Sequence, residues 1–165
     1  MGKIDGASRS GKQSGKPGQP IIMSELKQQP FVWQVRVYYE DTDAGGVVYY
    51  ARYLNFFERA RTELLRARGI QHEMLRRDHN LIWVVLDIQA RFLHAAKMDD
   101  ELLVSAELSW KKGVRQGFRQ AMRRKADGAL VATADLSAAL LYADSLKPAR
   151  MPAWLEMELD NGVGQ

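Results

Sequence analysis

Three carboxylates precede a pair of glycines in the stretch EDTDAGGVVYYARYLNFFERARTELL, which begins at Glu40. The acids are Glu40, Asp41 and Asp43, and a helical pattern follows from about Tyr50. Acids in this place have an ordinary explanation, because the helix macrodipole favours negative charge near its amino end and Asp and Gly are common in turns. Asp43, however, lies seven residues before the helix, which is too far for a simple N-cap.

Gly45 and Gly46 remove two side chains between this carboxylate and the helix. A ligand could therefore approach the backbone N–H groups near Tyr49 and Tyr50, where the first amides of a helix lack intrahelical partners. A carboxylate beside free amides suits acyl transfer. The amides polarise a carbonyl and stabilise an oxyanion, while the carboxylate either attacks the carbonyl or activates a water molecule. The sequence leaves open whether Asp43 is a nucleophile or a general base.

The elements that must hold these residues follow from hydrophobic periodicity. Apolar and polar side chains alternate from Phe31 to Tyr39, which predicts a strand. Apolar residues then recur at helical spacing, and we expect a helix from about Tyr50 to Arg68 that Gly69 ends in a left-handed conformation. The apolar face of this helix comprises Tyr53, Leu54, Phe57, Ala60, Leu64 and Leu65.

A linker at about residues 70–80 leads into four predicted strands joined by short turns. Each strand has an expected apolar face, and these faces are Val84, Leu86, Ile88, Ala90 and Phe92; Leu102, Val104, Ala106, Leu108 and Trp110; Phe118 and Met122; and Leu130, Ala132, Ala134, Leu136, Ala138 and Leu140. Asp127 and Gly128 predict a tight type I′ turn between the last two strands. A short final helix is expected in Pro152–Leu159.

Consecutive hairpins form an antiparallel sheet, and the long helix is the only large element available to cover its apolar face. We therefore predict an α+β protein with the hotdog fold, in which an antiparallel sheet of about five strands wraps round one long central helix. Another α+β sandwich with the same element order is the alternative.

The composition predicts one domain preceded by a tail. The 165 residues are 46% hydrophobic, which is enough for one core. Residues 1–29 are rich in Gly, Ser, Lys, Gln and Pro and predict a disordered basic tail, and we assign residues 30–160 to the folded domain. Because the chain has no cysteine, disulfides, cysteine nucleophiles and thiolate metal sites are excluded.

The charge distribution argues against nucleic acid as a partner. The net charge is +4, of which +3 lies in the first 30 residues, so the body is almost neutral. No apolar run approaches the length of a membrane span, and the first residues contain no apolar segment typical of a secretory signal. We expect a cytoplasmic protein with no transmembrane segment.

The remaining polar residues predict neither a metal site nor a cofactor. The histidines at 72, 79 and 94 form no pair at metal-ligand spacing, and no GxSxG motif is present, which disfavours a Ser-His-Asp hydrolase. His94 is interpreted as a loop residue. Arg115 and Arg119 form either a solvated strand face or a clamp for the phosphates of coenzyme A or of a phosphopantetheine arm.

The segment VRVYYEDTDAGGVVYYARYLNFFERARTELLR resembles the signature of the hotdog thioesterases of the 4-hydroxybenzoyl-CoA thioesterase superfamily. More narrowly, it is similar to the Tol-Pal-associated acyl-CoA thioesterases of Gram-negative bacteria. The likeness is dense over Val35–Ile70 and looser through ARFLHAAKMDDELLV and LLYADSLKPARMP. The resemblance implies that Asp43 is the catalytic carboxylate, that Tyr39 belongs to the site, and that the backbone N–H of Tyr50 binds the thioester carbonyl. The expected substrate-binding positions are Gly45, Gly46, Val48, Tyr49, Arg115 and Arg119.

One position departs from the narrower group, many members of which carry a histidine where this chain has Tyr50. An amide is present with either side chain, so the carbonyl-binding role is retained and any role of that imidazole is not. The resemblance implies hydrolysis of acyl-CoA or of an acyl carrier protein thioester by a homo-oligomer, a dimer or tetramer with sites at subunit interfaces, either free in the cytoplasm or peripheral at the inner membrane. The alternative is a non-catalytic module of an envelope-associated assembly that binds acyl-CoA or acyl carrier protein.

Overall fold

The computed structural model describes residues 30–161, and the tail predicted at residues 1–29 lies outside this range. The elements in chain order are β1 (Phe31–Arg36), α1 (Tyr50–Ala67), α2 (His72–His79), β2 (Leu81–Phe92), β3 (Glu101–Lys112), β4 (Arg115–Arg124), β5 (Leu130–Tyr142) and α3 (Ala153–Asp160). The short final helix is thus confirmed. No helix in the described range is long and apolar enough to cross a membrane.

The five strands form one sheet in the order β1-β3-β4-β5-β2, and every neighbouring pair is antiparallel. Strands β3, β4 and β5 are consecutive hairpins, whereas β1 and β2 are the two edges. Helix α1 follows β1 and precedes β2 along the chain, so it crosses the sheet from one edge to the other. This is the predicted arrangement of one long helix against a single antiparallel sheet.

Helix α1 has the predicted bounds and the predicted end. Its carboxyl end is a Schellman motif: the Ile70 N–H donates to the Leu65 carbonyl at 2.9 Å and the Gly69 N–H to the Arg66 carbonyl at 2.9 Å. Gly69 has φ 76°, a conformation that costs other residues a steric penalty. The helix buries Tyr53, Phe56, Phe57, Ala60, Leu64 and Leu65.

The core lies between α1 and the inner face of the sheet. On β3, β4 and β5 the inward positions alternate as predicted, and Leu102, Val104 and Met122 are fully buried. Burial of one such side chain contributes roughly 1.5–3 kcal/mol. A second cluster closes the carboxyl end of α1 with residues from α2, α3 and the strand ends, namely Leu65, Ile70, Leu75, Leu81, Leu140, Ala149, Leu155 and Leu159.

The expected linker at residues 70–80 is wrong, because most of it is helix α2. This helix is largely polar and buries only Leu75, so it has no apolar stripe that periodicity could detect. Two local signals were available. Glu73 and Arg76 form an i,i+3 ion pair at 2.6 Å, and Asn80 ends the helix with φ 55°.

The first strand is shorter than predicted. Strand β1 ends at Arg36, and a single 3-10 turn follows at Tyr39–Asp41. The Tyr38 N–H donates to Asp41 Oδ2 at 2.8 Å, which turns the chain away from the sheet. Tyr39 is therefore 83% exposed and does not share the buried face of the strand.

Strand β2 contains a β-bulge that overturns part of its predicted face. Val85 pairs with Ala138 and Asp87 with Ser137, which leaves Leu86 as the extra residue. Because directly paired residues share a face, the bulge places Val85 on the inner side of the sheet with Ile88. Val84 pairs with Ala139 and lies on the opposite face, so its predicted place on the inner face is wrong. Leu86 has no partner in the register, and strict alternation cannot anticipate such an inserted residue.

A second bulge moves Trp110 off its predicted inner face. The register shifts between Leu108 and Trp110, and Trp110 pairs with Gly117 while Leu108 pairs with Phe118. The indole lies against the outer side of Gly117, where a β-carbon would overlap it. Glycine at position 117 is thus required by close packing of the tryptophan.

The hairpin between β4 and β5 is confirmed, but its turn is not type I′. That turn type needs positive φ at both central residues, whereas Gly128 (φ 71°) has it and Asp127 does not. The Gly128 N–H donates to the Arg124 carbonyl at 2.8 Å, and the Arg124 N–H donates to the Ala129 carbonyl at 2.9 Å. The connection is therefore a longer loop closed at Arg124.

Candidate active site

Asp43 lies in a tight loop between the 3-10 turn and helix α1. The Asp43 N–H donates to the Val47 carbonyl at 2.9 Å, and the Tyr49 N–H donates to the Asp41 carbonyl at 2.9 Å. Gly46 has φ 74° in the bend between them. These bonds bring the two ends of the loop together and place the carboxylate close in sequence and space to the start of α1.

One oxygen of the Asp43 carboxylate is held and the side chain as a whole stays exposed. The Gly45 N–H donates to Asp43 Oδ1 at 2.8 Å, which is an Asx turn. A β-carbon on residue 45 would lie 3.0 Å from this oxygen, so glycine at this position avoids a close contact with the carboxylate. This arrangement orients Asp43 while leaving Oδ2 without a hydrogen bond from any residue in the range 30–161.

The amino end of α1 carries no side-chain cap. Tyr49 is the N-cap residue, makes no capping hydrogen bond, and the first turn contains no acid. The Arg52 N–H donates to the Tyr49 carbonyl at 2.8 Å, whereas the amides of Tyr50 and Ala51 stand at the positions where helix N–H groups lack intrahelical acceptors. The partial positive charge of the helix end is thus available to a carbonyl or an anion.

Asp43 and Tyr50 line the same open cleft, which has a volume of about 320 Å³. Three aromatic rings form its apolar wall: the ring centroids of Tyr53 and Phe92 are 5.4 Å apart, and those of Tyr50 and Phe92 are 6.4 Å apart. The remaining lining residues are Val47, Val48, Leu93, His94 and Ala95. We call this space the aromatic cleft.

Asp43 also lines a second open cleft of about 500 Å³, together with Tyr39 and Met98. The other lining residues are Thr42, Ala44 and Gly46. The carboxylate therefore stands between two spaces, one on each side of the loop. A thioester has two arms that leave its carbonyl carbon in different directions, and this arrangement can accommodate both.

Asp41 differs from Asp43 in its surroundings. Asp41 is only 4% exposed, accepts the Tyr38 N–H through Oδ2, and lies 3.8 Å from Arg52 Nε through Oδ1. Its carboxylate holds the turn that precedes the loop. Asp41 therefore has the structural role that is common for acids near a helix start, whereas the exposed Asp43 is available to a substrate.

The pKa values of Tyr49 and Tyr53 are raised, which favours the neutral phenols. Hydrogen bonding and charge repulsion with Tyr50 raise the pKa of Tyr49, and the charge of Asp43 adds to the effect. Burial raises the pKa of Tyr53, whose hydroxyl accepts the Ala96 N–H at 3.0 Å. These phenols are neutral at physiological pH and add no negative charge to the clefts.

Most of the expected site residues come together, and two do not. Gly45, Gly46 and Val48 belong to the loop, although the Val48 side chain is buried and its N–H donates to the Ala96 carbonyl at 2.8 Å. Tyr39 reaches the second cleft from the 3-10 turn, and Tyr49 occupies the N-cap position of α1 without a capping hydrogen bond. Arg115 and Arg119, in contrast, point to the outer face of the sheet.

Arg119 is engaged by acids on that outer face. Its side chain lies 3.2 Å from Asp135 and 3.9 Å from Glu107, which occupy the neighbouring strands. Arg115 is exposed at the start of β4. Within one chain neither arginine reaches the clefts beside Asp43, and their assignment to substrate binding stays a prediction.

The end of β2 contributes residues to the aromatic cleft that the sequence pattern does not reveal. The pattern predicts Phe92 only as part of a strand face and His94 only as a loop residue. Both line the cleft opposite the Asp43 loop. No local signal identifies them, because the cleft forms only where residues 92–95 pass the amino end of α1.

A smaller cavity of about 120 Å³ lies under the carboxyl half of α1, away from Asp43. Arg61 lines it and donates to Gln120 Oε1 at 2.7 Å, while Gln120 donates to the Phe57 carbonyl at 2.9 Å. Burial lowers the pKa of Arg61 to about 10. This polar network ties α1 to β4 in the core. Glu58 also lines the cavity, and its carboxylate accepts a hydrogen bond from the Thr62 hydroxyl at 2.9 Å.

Comparison with known proteins gives consistent matches. A family model described as the thioesterase-like superfamily matches residues 37–159. The acyl-CoA thioesterase YbgC of Haemophilus influenzae is 43% identical over 122 residues, which are 74% of this chain and 88% of that protein. The acyl-CoA thioester hydrolase YbgC of Escherichia coli is 37% identical over 122 residues, 74% of this chain and 90% of that protein. The crystal structure of a probable thioesterase from Bartonella henselae is 35% identical, with a TM-score of 0.71 over 75% of this chain and 100% of that one.

Proposed function

The chain belongs to the thioesterase-like superfamily, and from this premise we propose that it hydrolyses the thioester of acyl-CoA to a free acid and a thiol. The relatives named acyl-CoA thioesterase and acyl-CoA thioester hydrolase support this substrate class. The hotdog arrangement of the sheet and α1 supports it as well, because the structurally similar Bartonella chain is described as a probable thioesterase.

The observation that carries the proposal is the exposed Asp43 carboxylate in one cleft with the amino end of α1. The thioester carbonyl binds at the Tyr50 N–H, where the helix end stabilises the negative oxygen of the tetrahedral intermediate. Asp43, held by the Gly45 N–H, then acts on the carbonyl carbon. It either removes a proton from the attacking water or attacks directly to form an anhydride that water opens.

The two clefts beside Asp43 divide the substrate between them. The acyl group occupies the aromatic cleft, whose wall of Tyr50, Tyr53 and Phe92 suits an apolar chain or ring. The thiol arm leaves through the second cleft past Tyr39 and Met98. The arm of coenzyme A and the arm of an acyl carrier protein share this chemistry, so both donors fit the proposal. Arg115 and Arg119 would contact the phosphates only where subunits meet.

The sheet edge at β2 supports an oligomer. Strand β2 is a free edge of the sheet with apolar side chains exposed around and after its bulge, namely Val85, Leu86, Ile88 and Phe92. A free, apolar edge strand is a ready partner for another strand. Two copies joined at β2 would place Phe92, and with it the aromatic cleft, close to the joint. We propose a dimer, or a tetramer of two such dimers, that acts in the cytoplasm or at the inner membrane within the Tol-Pal system.

The test of the catalytic assignment is Asp43→Asn. This variant keeps the shape of the side chain and its acceptor for Gly45, and it removes basicity and nucleophilicity. We expect kcat for acyl-CoA hydrolysis to fall by roughly 10²-fold or more, while KM changes little because the helix amides remain. Steady-state release of free thiol from a panel of acetyl, hexanoyl and benzoyl-CoA measures both constants.

The matched control is Glu40→Gln, since Glu40 is an exposed acid of the same segment that lines neither cleft. It should hydrolyse acyl-CoA like the wild type. Asp41 is unsuitable as a control because its carboxylate is buried. If folded Asp43→Asn turns over normally, the assignment of the carboxylate is refuted. If the wild type binds acyl-CoA and hydrolyses none of the panel, the chain is a binding module of the same fold.

A further inference from the structure

His94 is a second side chain in the aromatic cleft, beside Asp43, whose chemistry suits proton transfer. It lines the cleft together with Asp43 and Tyr50, although the two residues are far apart in sequence. Burial raises the pKa of the Tyr53 phenol in this cleft, so that group stays neutral. The cleft therefore presents one carboxylate and one imidazole to the same bound molecule, which is the pairing that acid–base catalysis uses.

The imidazole is held in a defined orientation. His94 Nδ1 lies 2.8 Å from the Leu130 carbonyl oxygen, and because a carbonyl only accepts, Nδ1 carries the proton in this bond. The backbone is anchored at the same place, since the N–H groups of Leu93 and His94 both donate to the Val131 carbonyl, at 2.8 and 3.2 Å. The second ring nitrogen, Nε2, points away from Leu130 and has no partner among residues 30–161.

The proposed hydrolysis leaves one proton transfer unassigned. Asp43 accounts for the proton that leaves water, and the amino end of α1 accounts for the negative oxygen. The departing sulfur must also gain a proton, because an alkyl thiol is mostly protonated at neutral pH, as the ordinary pKa of about 8.5 for a cysteine thiol indicates. A histidine that donates through one fixed nitrogen and is free at the other is suited to this task.

We propose that His94 is the general acid of the site and protonates the leaving thiolate through Nε2. This inference rests on the proposed function. In the step, water oxygen bonds to the carbonyl carbon while Asp43 takes one of its protons. The C–S bond then breaks with its electron pair on sulfur, and the proton of protonated Nε2 moves to sulfur. The proton held by Asp43 returns to the imidazole through water, so one water is consumed and one acid and one thiol are formed.

The experiment varies the leaving group and not only the enzyme. His94→Asn retains an N–H near the position of Nδ1 for the Leu130 carbonyl and removes the donor at Nε2. Wild type and variant are compared on benzoyl-CoA and on the benzoyl thioester of 4-nitrothiophenol, and on the acetyl pair. We expect kcat on the CoA ester to fall by roughly 10²-fold. The nitrothiophenyl ester should be hydrolysed within about threefold of wild type, because its acidic thiol leaves without a proton.

Two further variants keep the result interpretable. Asp43→Asn should lose activity on both leaving groups, since attack on the carbonyl is impaired in each case. His79→Asn is the matched control, because His79 lies on α2 and packs against Trp154 with ring centroids 4.6 Å apart. If His94→Asn does not fold by circular dichroism, His94→Gln is measured in its place.

Three results would overturn the proposal. One is a kcat of His94→Asn on the CoA ester equal to that of the wild type. Another is an equal loss on both leaving groups, which would show that His94 only shapes the cleft. The third is a wild type that hydrolyses neither ester, and this one would refute the proposed function as well. Activity that depends on Asp43 and not on His94 would refute the general acid alone.

Discussion

Asp41 and Asp43 stand two positions apart and have opposite surroundings. The carboxylate of Asp41 is buried and bonded to the Tyr38 N–H, so it is committed to the turn. Asp43 is exposed between two clefts, with one oxygen fixed by Gly45. At the scale of the residue, function thus depends on which carboxylate is hydrogen-bonded within the turn and which one stays exposed.

The Tyr50 amide can be tested apart from the Tyr50 side chain. Position 50 is the first helical residue, where proline is tolerated because its N–H is not needed within the helix, and Tyr49 has the extended backbone (φ −61°, ψ 131°) that must precede proline. We expect Tyr50→Phe to keep most activity and Tyr50→Ala to keep the amide. Because proline lacks the N–H, Tyr50→Pro should lower kcat by a further ~10²-fold relative to Tyr50→Ala. Steady-state kinetics of the three variants measures this difference.

The outcome that contradicts this prediction is specific to each variant. Equal kcat for Tyr50→Ala and Tyr50→Pro would remove the amide from the mechanism. A loss in Tyr50→Phe as large as in Asp43→Asn would make the hydroxyl a participant in the chemistry, and the departure from histidine at this position would then matter.

Gly45 is predicted to protect the position of the carboxylate. In Gly45→Ala the added β-carbon would lie 3.0 Å from Asp43 Oδ1, so the carboxylate must shift by a few tenths of an ångström. Because small displacements of a reacting group are costly, we expect kcat to fall roughly tenfold with little change in the melting temperature. The comparison is Gly113→Ala, in the β3–β4 turn with φ 61°, which should lower stability and leave kcat unchanged.

At the scale of the element, the turn before α1 and the helix itself act as one unit. Arg52, in the first turn of α1, lies 3.8 Å from Asp41 and donates to the Glu40 carbonyl at 3.1 Å. The Tyr49 N–H donates to the Asp41 carbonyl at 2.9 Å. The helix start is therefore attached to the segment that precedes the Asp43 loop, and both sides of the loop are held by the same acid.

Asp41→Ala should accordingly destabilise the whole domain and not only the loop. It leaves the Tyr38 N–H without its acceptor and Arg52 without its nearest acid, and an unpaired buried donor costs about 1–3 kcal/mol. Urea unfolding followed by circular dichroism measures the change. Asp43→Ala, which removes an exposed carboxylate, should be within about 0.5 kcal/mol of wild type. Equal stability of the two variants would show that the turn does not depend on Asp41.

At the scale of the whole molecule, the sheet has two edges of different character. Strand β1 is short, whereas β2 has 12 residues and exposes several large apolar side chains around its bulge. Helix α1 covers the inner face of the sheet but not the β2 edge. Exposed apolar side chains of β2 therefore lie at the edge beside the aromatic cleft, and the outer face carries the ion pairs of Arg119.

The prediction at this scale is an oligomer joined at β2. Light scattering should give a multiple of the 18.7 kDa chain mass at micromolar concentration. Ile88→Lys, on β2 and 39% exposed, should dissociate it and reduce activity, because a lysine would lie in the joint. Val32→Lys is the matched control on the opposite edge, where Val32 is 51% exposed. A wild-type chain that scatters as a stable monomer would refute the joint at β2.

Periodicity and turn chemistry in the sequence alone determined the larger part of this protein. The hotdog fold, the bounds of α1 with its end at Gly69 and the strand order along the chain are confirmed, because each element follows from residues close together in sequence. Membership of a thioesterase family, which the resemblance of Val35–Ile70 implies, is confirmed as well. The assignment of Asp43, Tyr39 and Tyr50 to catalysis stays a prediction, as do the oligomer, the cellular location and the link to the Tol-Pal system.

The tertiary structure decided the features that depend on residues distant along the chain. The bulges at Leu86 and Ser109 arise from pairing with β5 and β4, and an inserted residue is invisible to simple alternation. Helix α2 is held by the single buried Leu75 within a cluster from α1, α3 and β5. His94 enters the cleft because the chain after β2 is anchored to β5 and passes the start of α1. The physical reason is the same in each case: the free energy of these residues is set by partners that only folding brings within contact.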